Sequence, residues 1–376
     1  MKKNNIKKWI VSVAAAIGGA IIGGAAGFFG TMYLDKAGIS GFGWIWVPVA
    51  LVVAVYLQII VHEAGHLVCG LLSGYKFVSF RVDRFMIYKK QGKLHWGNYM
   101  LAGTGGQCLM APPEMEDGTI PYRLYNFGGA LANLIFSGVA AVLGFVCSSQ
   151  PIIVIFCAVT VIIGVFFAAT NGIPIHTDTI DNDGYNAMSL GKQKEALRAL
   201  WVQLKVNEMQ TEGIRLKDMP EEWFQKPTEE GMKNSMIATI EVMRCNRLLD
   251  MHLFKETSQA IDAAFQSKNG MVGVHKMLLK LDQIYCEVIG EQRETILNQM
   301  EEKELIAFMK TMKTFPSVLR AQYAYSLLIE KEQSKAQKIL KQFETVIKTH
   351  PYEGDAQSEW EFIRLCQGES ERKTQN

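Results

Sequence analysis

The sequence holds no CxxC pair. Its seven cysteines, at 69, 108, 147, 157, 245, 286 and 366, are odd in number and dispersed, which supports neither a structural zinc site on cysteine nor a disulfide framework. Several sit in apolar runs, where cysteine packs as a small hydrophobe. Nor is there a surplus of either charge: 39 Lys and Arg face 37 Asp and Glu. After residue 184 the balance is 27 basic against 28 acidic residues, so a nucleic-acid-binding tail, which needs a basic excess, is not among the expected functions. Gly103-Thr104-Gly105-Gly106 lacks a following Lys-Ser/Thr and reads as a connector, not a phosphate loop.

What the first half does have is long apolar runs. Four stretches reach the length of about 20 residues that a bilayer crossing needs: Trp9–Tyr33, Trp44–Leu72, Tyr125–Cys147 and Ile152–Thr170. Gly19, Gly23 and Gly27 in the first recur at a spacing that lets helices approach closely. That run is long for a signal peptide and shows no obvious cleavage site, so it reads as a retained span. Lys2, Lys3, Lys7 and Lys8 precede the first span, and seven basic residues from Lys76 to Arg123 lie between the second and third. The other connections are almost free of basic residues, so both termini are expected in the cytoplasm, at the cell membrane. The bilayer is then the first partner.

The second run contains His62-Glu63-Ala64-Gly65-His66. On a helix, positions i and i+4 share one face, so two imidazoles there can grip one metal ion. Glu63 beside them can take a proton from a water that zinc has acidified. Two His and a Glu are expensive inside an apolar span, on the order of 2–3 kcal/mol each, which argues for function. Hydrolytic zinc usually keeps three protein ligands. The end of the fourth run, expected at matching depth, offers His176, Asp178, Asp181 and Asp183.

These residues resemble the site-2 protease family of intramembrane zinc metalloproteases, over about residues 44–190. HExxH matches His62, Glu63 and His66; the family's Asn-x-x-Pro matches Asn171 and Pro174, and its Asp-Gly matches Asp183 and Gly184. Its Gly-rich middle helix with an Asn is similar to Gly128-Gly129-Ala130-Leu131-Ala132-Asn133. The resemblance implies one zinc ion held by His62, His66 and Asp183, Glu63 as general base, and Asn133 and Asn171 holding substrate or the developing oxyanion. The interval from Pro174 to Asp183 is longer than the family pattern, which keeps Asp178, Asp181 and His176 as alternatives. The implied substrate is a membrane-embedded or membrane-proximal polypeptide.

Between the second and third spans, Val78–Asp83 alternates with period two, Lys89–Lys93 reads as a turn and Leu94–Tyr99 as a partner strand. Such a hairpin at the membrane face could hold an unwound substrate by main-chain hydrogen bonds. Beyond Tyr185 come successive amphipathic helices, faintly tetratricopeptide-like but without a clean 34-residue repeat. The expected fold is therefore an all-α membrane protein: an N-terminal helix and loop (1–43), a three-helix protease core (44–184), a cytoplasmic helical domain (185–368) suited to protein contact, and a disordered tail (369–376). The competing expectation is a non-catalytic scaffold that recruits partners through the helical domain, which an intact Glu63 disfavours.

Overall fold

The computed structural model describes residues 45–100, 104–175 and 181–375, and Gly24 before them. Among the described residues the chain is mostly helical, with a single antiparallel sheet. The expected span Trp9–Tyr33 and the 1–43 segment lie outside them, apart from Gly24.

Among the described residues, three helices are long and apolar enough to cross a membrane: α1 (Trp46–Leu72, 27 residues), α2 (Tyr122–Val146, 25 residues) and α3 (Pro151–Gly172, 22 residues). Pro151 sits in the first turn of α3, where its missing N–H costs no helical bond. Of the described residues, 45–66 and 127–173 form one compact unit. Its helices converge on small residues. A Cβ on Gly65 would collide with the Gly128 carbonyl oxygen, and one on Gly164 with the side chains of Ser137 and Gln58. Close backbone approach of this kind is how helices associate in lipid, where hydrophobic driving force is absent. Outward-facing Val52, Ile135 and Phe145 remain 57, 69 and 83% exposed, the apolar surface a lipid-facing bundle must present.

The second unit takes in residues 67–126 and 174–376. Its sheet has the order β3-β2-β1-β4, all antiparallel, from β1 (Lys76–Val82), β2 (Phe85–Lys90), β3 (Lys93–Asn98) and β4 (Gly106–Ala111). Gln91 and Gly92, both at positive φ (49° and 75°), make the two-residue turn between β2 and β3, a geometry whose twist suits a tight hairpin. The expected hairpin thus differs in one respect. Phe85–Lys90 is itself a strand, and it lies between the two segments read as direct partners.

The sheet does not stand apart from the helical region. Tyr75, Cys108, Met110 and Tyr125 share one core with Leu197, Trp201 and Val202 of α5 (Lys194–Thr211). Tyr75 stacks on Tyr125 with centroids 4.9 Å apart, and Trp201 Nε1 donates to the Pro113 carbonyl at 2.9 Å. A short α4 (Asp183–Ser189) precedes α5. Then follow α6 (Ser235–Asp250), α7 (Phe254–Gln266), α8 (Gly273–Ile289), α9 (Glu294–Leu297), α10 (Lys303–Thr311), α11 (Pro316–Leu328), α12 (Gln333–Ile347) and α13 (Glu353–Gln375). A large core joins α8, α11, α12 and α13 through Leu281, Tyr285, Val318, Phe343 and Ile363. The segment read as a disordered tail is instead the continuation of α13, helical through Gln375.

Candidate metal centre

His62 and His66 lie one turn apart on α1, both buried, with ring centroids 4.8 Å apart and planes crossed at 78°. Their Nε2 atoms face each other at 3.2 Å. Two imidazole nitrogens on one tetrahedral zinc, at about 2.0–2.1 Å each, would stand about 3.3 Å apart. The spacing fits that ion without rearrangement. Glu63 is buried beside them.

The orientation of His62 is imposed by a directed chain of amides. Gln58 Nε2 donates to the Thr160 backbone carbonyl at 2.9 Å. A carbonyl can only accept, so this contact fixes which end of the Gln58 amide is which. Gln58 Oε1 then accepts from Asn133 Nδ2 at 2.6 Å, and Asn133 Nδ2 also donates to the Gln58 backbone carbonyl at 2.8 Å. Asn133 Oδ1 is left facing His62 Nδ1 at 2.7 Å. The proton of a neutral His62 must therefore sit on Nδ1, which puts the lone pair on Nε2, the nitrogen aimed at His66. Thr160 on α3, Gln58 and His62 on α1 and Asn133 on α2 are all part of this chain. Space for the ring comes from glycine: a Cβ on Gly129 would lie 2.5 Å from His62 Cε1 and Nε2.

Asn133 is thus fully buried against His62. Asn171, in the last turn of α3, donates from Nδ2 to the Phe167 carbonyl at 3.0 Å. Asn182 Oδ1 accepts from both Ile175 N (3.0 Å) and Tyr185 N (2.9 Å). One side chain therefore closes the base of the 175–182 excursion and caps α4, whose first residue is Asp183. Asp181 accepts from Ser235 Oγ at 2.6 Å. His176 and Asp178 lie outside the described residues.

Among the described residues, His62 and His66 bring two imidazole nitrogens to a spacing that one metal ion could bridge, and Asp183 opens α4 in the other unit. Gln58 was not anticipated from the sequence. The available signal was a polar amide in an apolar run, one helical turn before His62, where it is costly unless it has partners.

Residues 50–350 match the model of peptidase family M50. No curated protein and no solved structure matches the chain.

Proposed function

Because the chain belongs to peptidase family M50, the site-2 protease family, we propose that it is a zinc-dependent intramembrane endopeptidase cutting membrane-embedded or membrane-proximal polypeptides. The observation that carries the reading is the pair of Nε2 atoms 3.2 Å apart on one face of a membrane-length helix. His62, His66 and Asp183 are the ligands, Asp183 being the carboxylate of the Asp-Gly pair that matches the family's pattern. A zinc ion there supplies Lewis-acid polarisation of the scissile carbonyl and brings the pKa of a water down to about 7.

The chain's own residues do the rest. Glu63 takes the proton of the attacking water and passes it to the leaving amine. Asn133 and Gln58 hold His62 in its tautomer, and Asn171, near the end of α3, steadies the substrate main chain. A helical substrate must unwind before its carbonyl is reachable. The outer edge of β3, which has no strand neighbour among the described residues, is suited to pairing with the extended segment. Both termini are assigned to the cytoplasm by the distribution of lysine and arginine, and the helical region is assigned to protein contact.

The decisive variant is Glu63→Gln. Purified enzyme should keep one zinc per chain and lose cleavage of transmembrane peptides, and membranes carrying it should accumulate uncut anchors by comparative proteomics. Undiminished turnover by this variant would refute the general-base role.

A further inference from the structure

The β2–β3 ribbon of the second unit carries an open apolar strip. Directly opposed residues of an antiparallel pair share a face, and neighbours along a strand alternate between faces. The register sets Phe85 against Asn98, Ile87 against Trp96 and Lys89 against Leu94. Phe85, Leu94 and Trp96 therefore lie on one face, where they are 65, 64 and 78% exposed. The opposite face is the covered one. Met86 is buried there, a Cβ on Gly97 would point at the Tyr88 ring and the Thr349 carbonyl oxygen, and Lys90 pairs with Glu353 of α13. Large apolar side chains gathered on an open surface mark a site of contact with protein or membrane.

Two observations indicate which. The first is charge. Lys89 and Lys93 stand at the turn end of the strip and Arg84 at the other, its guanidinium 5.4 Å from the centre of the Phe85 ring; all three are exposed. Residues 73–112 hold six Lys and Arg against one acid, Asp83. Two further acids approach the turn: Glu212, which accepts from Gln91 N at 2.8 Å, and Glu353 on Lys90. With both counted, six basic residues still face three acidic ones. The second observation is continuity with the membrane-length helices. Three residues, Ser73-Gly74-Tyr75, separate α1 from β1. On the same face as the strip, Phe80 opposes both Ile87 and Cys108 and joins the core that includes Leu67 of α1 and Tyr125 of α2. Tyr125 Oη donates to the Cys108 carbonyl at 2.8 Å, and a Cβ on Gly70 would strike Met110 Sδ. The strip is the outward extension of a sheet seated on the ends of two helices that are built for lipid.

We propose that this strip is an anchor for anionic phospholipid, with Phe85, Leu94 and Trp96 entering the boundary between headgroups and acyl chains and Arg84, Lys89 and Lys93 meeting the lipid phosphates. Tryptophan suits that boundary because its ring is apolar and its N–H polar. An apolar strip rimmed by basic side chains is drawn to anionic headgroups by both terms at once. Lipid engages the side chains of the open face and leaves the main-chain edge of β3 unpaired, so the anchor holds that edge at the bilayer surface without competing for it. Neither zinc nor cleavage enters the inference.

The test uses the full-length protein in phosphatidylcholine nanodiscs, with and without an equal share of phosphatidylglycerol, the lipids carrying bromine on the upper acyl chain as a contact quencher. The chain has seven tryptophans, so the emission of Trp96 is isolated as wild type minus Trp96→Phe. In the anionic discs bromine is expected to remove most of that emission. Omitting phosphatidylglycerol, or combining Lys89→Glu with Lys93→Glu, should cut the quenching by at least about half, since each basic side chain near an anionic surface contributes on the order of fivefold in affinity. Undiminished Trp96 emission in the anionic discs, equal quenching in pure phosphatidylcholine, or equal quenching in the double variant would overturn the proposal. So would emission shielded from aqueous acrylamide yet untouched by bromine, because polypeptide would then cover the face. Should the double variant fail to fold, the two lipid compositions compared on the wild type decide it.

Discussion

His62 Nδ1 and Asn133 Oδ1 stand 2.7 Å apart, and because Asn133 is itself oriented by Gln58, this one contact sets which nitrogen of His62 is available. Metal-bound histidines generally rely on such a partner, and losing it costs about 10- to 100-fold in affinity. Asn133→Leu should therefore weaken zinc binding by about that factor in a chelator competition assay. Gln58→Leu should cost less, because Asn133 keeps its acceptor but loses the group that orients it. Unchanged zinc affinity in Asn133→Leu would show that the contact is only structural.

Asp183 and Asp181 are two residues apart and separable. Asp183→Ala should reduce zinc to well under one equivalent per chain by metal analysis. Asp181→Ala, which gives up the bond to Ser235, should keep its zinc. The opposite pattern would move the third ligand.

Glycine substitutions probe the helix contacts. Gly65→Ala drives a methyl into the Gly128 carbonyl oxygen, a backbone atom that cannot rotate away, so a loss of about 1–3 kcal/mol is expected. Gly138→Ala meets nothing within 4 Å and should leave the melting temperature in detergent unchanged. Equal melting temperatures for the two would disprove this packing.

Glu359 gives a pH dependence of definite sign. Its carboxyl is pushed up from 4.5 to about 8 by burial, aided by Asp355, Asp282 and Asp250 and opposed by Arg320. The folded state therefore holds a proton that the unfolded chain releases above pH 4.5. This stabilisation is full below pH 4.5 and is lost as pH rises through about 8. Relative to Glu359→Gln, the wild type should lose melting temperature from pH 4.5 to about 8 and run parallel above that. Parallel curves would show that Glu359 is already ionised.

Arg320→Leu is expected to cost about 3–5 kcal/mol, because it strands Asp282 and Glu359 in the interior. The double change Arg320→Leu with Glu359→Leu should recover part of that loss by differential scanning calorimetry. Additive losses would mean that the two side chains are not coupled.

Much of the membrane-length helical region was legible in the sequence because membrane constraints are severe. A His-Glu-x-x-His in an apolar run carries both its geometry and its cost on its face, and α1, α2 and α3 begin and end within a few residues of the spans read from hydropathy. The β2 strand was missed because Phe85-Met86-Ile87-Tyr88 is uniformly apolar and lacks the period-two alternation of β1. The core shared by the sheet and α5 depends on contacts distant in sequence, such as Trp201 with Pro113, which local pattern does not encode. The place of Asp183 was ambiguous because residue count does not reveal that Asn182 bonds both Ile175 and Tyr185 and so caps α4 at Asp183. The contact of Asn133 with His62 is equally non-local, since it depends on the packing of α2 against α1.

The relay from Thr160 to His62 is built from amides and a backbone carbonyl, where many metal sites place a carboxylate behind the histidine. Amides have no ionisable state, so this support adds no formal charge to a hydrocarbon interior and does not respond to acidification of the surroundings. The scaffold behind His62 thus acts as an electrically silent frame.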